Sequence, residues 1–260
     1  MAGELRLSPM LNKVPEATLI FWTIKILSTT VGETGADYLA VHVGLGATLT
    51  MVFMTSLLIA ALGLQLRARR YIPWIYWLTV VLVSIVGTQI TDFMSDKLEI
   101  SLYVSTAVFA CALAGTFAIW YRVEHTLSIR SIVTTRRELF YWAAILFTFA
   151  LGTAAGDLAT EALGLGFQLG VLAFGVLIAF IAVFYSLGVN PVLTFWLAYI
   201  LTRPLGASLG DLLSQSRHYG GFGLGTIQTS LVFLTVIIAL VAWVTFEGDY
   251  SDSADPAKRS

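Results

Sequence analysis

The strongest constraint on the fold is a pattern that occurs four times along the chain. Each copy has an aromatic residue followed by Trp, then a glycine after nine further residues and an aspartate after four more. The copies begin at Phe21, Tyr76, Tyr141 and Phe195, with no gap in any of them. Self-similarity of this kind is typical of repeat architectures, in which every copy forms the same supersecondary unit. The chain is therefore predicted to build one domain from four equivalent units.

Composition identifies the solvent of these units as lipid. Of the 260 residues, 57% are hydrophobic and only 12% are charged, which leaves too few polar side chains to cover a water-soluble surface. A membrane-spanning helix needs about 20 apolar residues, so each unit has room for two. We predict an all-α membrane protein of about eight transmembrane helices, arranged as four parallel helical-hairpin repeats. The helices are expected near residues 17–39, 44–66, 71–94, 100–122, 139–162, 164–186, 192–213 and 222–246.

The repeats place the whole chain, residues 1–260, in a single transmembrane domain. The four units cover approximately residues 13–68, 69–123, 135–187 and 188–246, and a polar cytoplasmic tail is expected over 247–260. Because each unit crosses the membrane twice, successive copies enter it from the same side and are related by an axis along the membrane normal. The repeated aspartates are therefore predicted to lie at one level near one face. They are Asp37, Asp92, Asp157 and Asp211.

Lysine and arginine are distributed unequally between the two predicted faces. The face opposite the aspartates carries Arg6, Lys13, Arg67, Arg69, Arg70, Arg122, Arg130, Arg136, Arg137, Lys258 and Arg259. The aspartate face carries only Lys97 and Arg217. Short cytoplasmic loops are enriched in Lys and Arg, so both termini are predicted to be cytoplasmic and the aspartate level to be periplasmic or extracellular.

Stretches of three units resemble a known family. They are Lys13-Val14-Pro15-Glu16, Phe21-Trp22, Lys25 and residues 29–37 in the first unit, residues 152–157 in the third, and residues 201–211 in the fourth. On these stretches the chain resembles a bacterial family of integral membrane proteins with a fourfold hydrophobic repeat of unknown function, the uncharacterised membrane-anchored proteins. The resemblance covers essentially the whole chain, and the second unit departs most from the family pattern. It implies a multipass protein of the bacterial inner (plasma) membrane and supplies no substrate.

The repeated glycines and tryptophans have a packing interpretation. Each repeat glycine is followed four residues later by a small residue, and this spacing lets helices approach closely in lipid. The residues assigned to helix packing are Gly32, Gly87, Gly152, Gly156, Gly206 and Gly210. The tryptophans lie near the predicted cytoplasmic ends of their helices, where Trp is enriched at the membrane interface. We therefore expect them to act as interfacial anchors.

Three ionisable residues lie deeper inside the predicted membrane spans than the repeat aspartates do. Lys25 lies in the first span, Arg203 lies in the seventh, and Glu33 is one helical turn before Asp37. A charge at mid-membrane costs about 2.5–3.5 kcal/mol on the insertion scale, so these side chains are expected to face protein, water or one another. One interpretation is buried ion pairs that fix helix register. The other is a path for an ion, a proton or a solute, which is where intramembrane charges are usually found.

The second interpretation predicts a secondary transporter or exporter of a small ion or solute, with a cation, either a divalent metal or a proton-coupled ion, as the favoured cargo. Carboxylates and hydroxyls suit hard cations. The predicted ion-binding residues are Glu33, Asp37, Asp92, Asp157, Asp211, Thr30 and Thr34, with Glu33, Asp37 and Asp211 as metal ligands. Lys25 and Arg203 would be charge partners of these carboxylates or a gate. They would suit an anionic solute equally, so the charge of the cargo stays open.

Two other functions stay open, a cation channel with a ring of aspartates and a non-transporting membrane scaffold or sensor. An enzyme is not expected, because the sequence has no HExxH, no phosphate-binding GxxxxGK and no Ser–His or Cys–His arrangement within a span. No cofactor and no nucleic-acid partner is predicted. The expected partners are the lipid bilayer and a small ion or solute, and a homo-oligomer is also open.

Overall fold

The computed structural model describes residues 12–37 and 46–254, and the regular elements in that part of the chain are all helical. The eight α-helices are α1 Leu19–Asp37, α2 Gly46–Arg67, α3 Pro73–Asp92, α4 Leu102–Glu124, α5 Thr135–Asp157, α6 Gly166–Ser186, α7 Pro191–Ser214 and α8 Thr226–Ala254. The predicted fold class is confirmed. One difference is at the C-terminal end, where α8 continues to Ala254 through residues predicted as a polar tail.

Within the described residues, the seven helices α2 to α8 are long and apolar enough to cross a membrane, and the apolar stretch of α1, Leu19–Gly32, is shorter. The helices differ sharply in burial. The first helix of each repeat (α1, α3, α5 and α7) is largely buried, and the second (α2, α4, α6 and α8) is largely exposed. An exposed apolar helix surface is what a lipid solvent requires. The protein is thus a bundle of four inner helices inside four outer helices.

The inner helices form a closed ring, because α1 packs against α3, α3 against α5, α5 against α7, and α7 against α1. Each outer helix packs mainly against the inner helix of the following repeat: α2 on α3, α4 on α5, α6 on α7 and α8 on α1. Four copies related by one axis would pack in this way. We call the contact region between two neighbouring inner helices a seam, and each seam is covered on its outside by an outer helix.

Helix ends follow local sequence signals. Ser101, Thr134 and Asn190 cap α4, α5 and α7, since each side-chain oxygen accepts a hydrogen bond from a backbone N–H in the first turn. The turn after the repeat aspartate uses a left-handed residue, which is Gly164 in the third unit and Glu99 in the second. A left-handed backbone favours glycine. The second unit therefore keeps the turn of the third unit although it lacks the glycine found there.

Aromatic side chains form a closed belt around the ring at the end where the inner helices begin. The aromatic residue before each repeat Trp contacts the Trp of the next repeat. The ring-centroid distances are 5.5 Å for Phe21–Trp77, 5.5 Å for Tyr76–Trp142, 6.2 Å for Tyr141–Trp196 and 5.6 Å for Phe195–Trp22. Tilted and edge-to-face contacts at such distances are favourable beyond the area they bury. The belt therefore ties each inner helix to the next.

The belt corrects the prediction that the repeat tryptophans anchor the protein at the membrane interface. Trp77, Trp142 and Trp196 are only 3%, 4% and 4% exposed, so they lie inside the protein and not at its lipid surface. Trp22 is the exception, because it is half-buried. The physical reason is the direction of the side chains, which point along the ring to the neighbouring inner helix.

The repeat glycines lie where inner helices come closest. A Cβ atom added at each would meet the residue seven positions after the next Trp. The contacts are Gly32 with Ser84, Gly87 with Phe149, Gly152 with Arg203 and Gly206 with Thr29. A Cβ at Gly206 would lie 2.5 Å from Cγ2 of Thr29, well inside van der Waals contact. Small residues thus allow the close approach of helices that stabilises bundles in lipid.

Candidate functional site

Lys25 and Arg203 lie in the core of the ring on neighbouring helices, α1 and α7, and both are 0% exposed. They occupy successive turns of the repeat, three and seven residues after Trp22 and Trp196, respectively. The repeat therefore places one cation just above the other, on the aspartate side of the belt. A cluster of two basic side chains at this depth is the main chemical feature of the described core.

Arg203 contacts all three other inner helices. Its Nη1 donates to the backbone oxygen of Thr29 on α1 at 3.0 Å, and its Nε donates to the backbone oxygen of Phe149 on α5 at 3.4 Å. Its Nη2 donates to the hydroxyl of Thr153 on α5 at 2.6 Å and to the hydroxyl of Thr88 on α3. The guanidinium has five N–H donors in a planar fork, which lets one side chain from α7 hold groups on α1, α3 and α5.

Lys25 lies between aromatic rings. Its Nζ donates to the hydroxyl of Thr29 at 3.1 Å and lies 4.0 Å from the ring centroid of Phe149 and 4.4 Å from that of Tyr199. An ammonium over an aromatic face is attracted by the ring quadrupole, by about 2 kcal/mol when the site is desolvated. The two rings therefore replace part of the hydration that Lys25 would have in water.

Glu33 occupies the same position in its repeat as Thr88 and Thr153 do in theirs. Its own side chain, like that of Asp37, lies outside the described residues. Thr88 and Thr153 are eleven residues after the Trp of their repeats, and so is Glu33. The hydroxyls of Thr88 and Thr153 both accept hydrogen bonds from Arg203. The predicted pairing of Lys25 or Arg203 with Glu33 or a repeat aspartate stays a prediction.

The two threonines predicted as ion ligands contact neighbouring helices. Thr30 donates from its hydroxyl to the backbone oxygen of Gly206 at 3.1 Å. The hydroxyl of Thr34 lies 2.6 Å from that of Ser230 on α8. Both side chains are buried. In the described structure these hydroxyls thus join α1 to α7 and to α8.

The described aspartates lie at the far ends of the inner helices. Asp92 and Asp157 are the last residues of α3 and α5, and both are half-buried. Asp211 lies in the last turn of α7 and is 9% exposed. Among the residues that the structure describes, no group of three or more His, Cys, Asp or Glu side chains could hold a metal ion. The predicted ligand set also includes Glu33 and Asp37, so it stays a prediction.

Sequence reasoning missed a buried ion pair at the opposite end of the ring. The Nζ of Lys13 lies 2.5 Å from Oε2 of Glu138, and both side chains are 1% exposed. Lys13 also donates to the backbone oxygen of Leu66 at 3.1 Å, and Gln65 donates to Oε1 of Glu138 at 3.1 Å. The pair therefore fastens the segment before α1 to the end of α2 and the start of α5. The sequence counted Lys13 only as a topogenic charge.

A cavity of about 690 Å³ lies at the seam between α7 and α1, at the same end of the ring as the belt. Trp22 and Ile26 of α1 line it, as do residues of α7 from Pro191 to Thr202. Its other walls are the segment before α1, the loop between α4 and α5, and α6. It thus reaches from the end of the bundle to the level of the two buried cations, since Ile26 and Thr202 are their chain neighbours.

A comparison of the sequence with known protein families finds a matching family. The family model described as "Repeat of Unknown Function (DUF347)" matches four times, at residues 20–71, 75–126, 140–187 and 194–249. These matches include most of the chain and confirm the resemblance noted from the sequence. No curated protein and no solved structure matches the chain.

Proposed function

Because the chain belongs to the family described as a repeat of unknown function, we propose its activity from its geometry: it is a secondary transporter of a small ion or solute. The observation that carries the proposal is the burial of Lys25 and Arg203, both 0% exposed, where the four inner helices meet. Two basic side chains at this depth suit the anionic group of a solute.

Burying the charges of Lys25 and Arg203 in the membrane is costly. Each costs about 2.5–3.5 kcal/mol at mid-membrane, and buried charges can often be replaced by well-packed apolar residues without loss of stability. The equivalent positions to Lys25 in the second and third repeats are Val80 and Ile145, and both are fully buried there. An apolar side chain therefore fits this layer of the ring, which supports a functional role for Lys25.

The carboxylates supply the second half of the proposal. Asp92, Asp157 and Asp211 lie beyond the cation cluster, at the ends of their helices, and Glu33 and Asp37 continue the same series on α1. In the proposal these five residues attract a coupling ion, either a metal cation or a proton. Anion and cation would then share one path, with the carboxylates on one side of Lys25 and Arg203.

We propose that both termini are cytoplasmic and that the membrane is the bacterial inner membrane. The support is the excess of Lys and Arg at the ends from which the inner helices begin. The cavity then opens toward the cytoplasm and the aspartates face the outside. The belt closes the ring with a layer of packed aromatic side chains at the end where the inner helices begin, which favours a gated transporter over an open channel.

The first test is ligand binding to the purified protein in detergent. The thermal midpoint is measured against a panel of divalent cations, monovalent cations, protons and organic anions. A ligand that binds only the folded state stabilises it by about 2.7 kcal/mol at a hundredfold excess over its Kd. We expect an anion of the panel to raise the midpoint of the wild type and not that of Lys25→Met.

The matched control is Lys97→Met, which makes the same change at an exposed position on the aspartate face. This variant should respond to the panel as the wild type does. If no compound shifted the wild-type midpoint, the scaffold interpretation would replace the transporter. If Lys25→Met responded as fully as the wild type, the cation cluster would not be the site.

The second test is flux of the identified anion into proteoliposomes. Glu33→Gln and Asp37→Asn each remove one negative charge with little change in volume. We expect both to abolish uptake while the thermal midpoint stays close to that of the wild type. Full uptake in both variants would show that the carboxylates of α1 take no part in coupling.

A further inference from the structure

The cavity at the seam between α7 and α1 exists because one outer-helix position carries a small residue. In the neighbouring seam, between α5 and α7, Phe117 of α4 packs its ring 4.8 Å from that of Trp196, and Trp120 lies 5.9 Å from it. Phe117 is forty residues after the Trp of its repeat, and the residue at that distance in the third repeat is Ala182. Ala182 lines the cavity beside Trp22.

The residue equivalent to Trp120 differs in the same way. It is Tyr185, which lines the cavity and is 58% exposed, whereas Trp120 is fully buried. In the first repeat the position equivalent to Ala182 carries Leu62, which packs against the core. Ala182 thus leaves open a space that a larger side chain occupies in the first and second repeats.

The shape of the cavity fits an elongated organic molecule. Its lining on α7 runs from Pro191 to Thr202, which corresponds to about 16 Å along a helix. The volume of about 690 Å³ is within the range of about 300–1,000 Å³ found for small-molecule sites. A bare ion needs much less space. Its inner walls are largely apolar, with Ile26, Ile178 and Ile181 among the lining residues.

The charges around the cavity favour an anion. Arg130 lines it from the loop between α4 and α5, and its side chain is exposed. At the inner end, Ile26 and Thr202 are the chain neighbours of Lys25 and Arg203. Glu16 is the one acidic residue among the lining residues. Among the lining residues one is basic and one is acidic, and Arg130 is the lining residue that can hold an anionic group at the outer end.

We propose that this cavity binds an organic anion with an apolar body, and that it is the cytoplasmic access site for the cargo of the transporter. The inference rests on the proposed function and adds the class of cargo. Arg130 holds the anionic group of the solute at the outer end, and the apolar body lies between α1, α6 and α7. The inner end of the cavity lies at the level of Lys25 and Arg203.

The test measures binding to the full-length protein in lipid nanodiscs by calorimetry. The probes are 4-phenylbutyrate and 4-phenylbutylammonium, which have similar apolar bodies and opposite charges. We expect the anion to bind and the cation to bind at least about tenfold more weakly, and Arg130→Gln to weaken the anion by about tenfold, the effect of one charge-assisted hydrogen bond. Ala182→Phe should abolish binding because it fills the space beside Trp22.

Two further variants separate filling from misfolding. Ala179→Phe adds the same volume to an exposed position of α6 that does not line the cavity, and it should bind as the wild type does. Ala182→Leu introduces the side chain found in the first repeat and should weaken binding even if the phenylalanine variant fails to fold. Equal affinity for both probes, or unchanged binding in Ala182→Leu, would overturn the proposal. A phospholipid found in the wild type by native mass spectrometry, and lost in Ala182→Leu, would also overturn it.

The outcomes distinguish this inference from the transporter itself. Binding of 4-phenylbutyrate that is lost in Ala182→Leu, without any flux in proteoliposomes, would keep the cavity site and remove the transporter. Binding of a small inorganic anion that depends on Lys25, without binding of 4-phenylbutyrate, would keep the transporter and remove the cavity site.

Discussion

The seam between α5 and α7 and the seam between α7 and α1 have the same backbone plan and opposite interiors. In the first, Phe117 and Trp120 of the outer helix surround Trp196, which is 4% exposed and donates from Nε1 to the backbone oxygen of Leu127 at 2.9 Å. In the second, Trp22 is half-buried and borders a cavity. We call the seam between α5 and α7 the filled seam and the seam between α7 and α1 the open seam. The repeat thus determines the arrangement of the helices, while the side-chain volume at one position of the outer helix determines whether the seam is packed or holds a cavity.

The largest loss of stability is expected when the ion pair between Lys13 and Glu138 is broken, because this pair holds the segment before α1, which borders the open seam. Lys13→Met would leave Glu138 buried without its cation, at a cost of about 3–5 kcal/mol. Thermal or denaturant unfolding in detergent measures the loss. Replacing both partners, Lys13→Met with Glu138→Met, should recover most of it, because an apolar pair leaves no unpaired charge. If the double variant were as unstable as the single one, the loss would come from packing and not from charge.

Creating a space in the filled seam should cause the next largest loss of stability. Phe117→Ala removes the ring that packs on Trp196 and should cost about 2–3 kcal/mol, less than a fully buried phenylalanine because Phe117 is only half-buried. Unfolding in detergent measures it. The control is Phe180→Ala on the exposed face of α6, where the ring is 57% exposed and should matter little. Equal losses in both variants would contradict the comparison of the two seams.

The open seam is tight in its other half, where Gly206 contacts Thr29. Gly206→Ala would force a Cβ to 2.5 Å from Thr29 Cγ2 and should destabilise the protein by about 1–3 kcal/mol through overpacking. Gly63→Ala on α2 meets nothing within 4 Å and should stabilise by about 0.5–1 kcal/mol, as alanine does in a helix. The midpoints of unfolding in detergent compare the two. A neutral Gly206→Ala would mean that the helices can separate at this point without cost.

Filling the open seam should have the smallest effect on stability. Ala182→Phe adds apolar contacts beside Trp22 and loses only open space, so the free energy of unfolding should change by less than about 1 kcal/mol. Its effect on binding should be large, as described above. A loss of several kcal/mol would mean that the space is too small for the ring. The third and second repeats would then differ in helix position as well as in side chain.

The sequence predicted the fold well because the repeat pattern reports on backbone geometry. The four glycines and the spacing to each aspartate specify where inner helices approach and where they end. The burial of Lys25 and Arg203 also followed, since charges inside an apolar span must face protein or water. The pattern did not specify the direction of each side chain around the ring, and this is why three of the four repeat tryptophans were assigned wrongly to the membrane interface.

The ion pair and the cavity were missed for a different reason. Lys13 and Glu138 are 125 positions apart in the sequence, and a lysine before the first span looks the same whether it is topogenic or paired. Ala182 is an ordinary residue of an apolar helix. It becomes informative only when the outer helices are aligned with one another and each is known to pack on the next inner helix.

The packing of each outer helix on the following repeat has a consequence for synthesis of the protein. α8 is the outer helix of α1, so the first inner helix made by the ribosome receives its cover from the last helix made. At about 5–20 residues per second, translation from the end of α1 to the start of α8 takes about 10–40 s. Lys25 contacts Phe149 of α5 and Tyr199 of α7, so it enters the bilayer before the helices that bury it are made, and the early chain requires a polar environment from the insertion machinery.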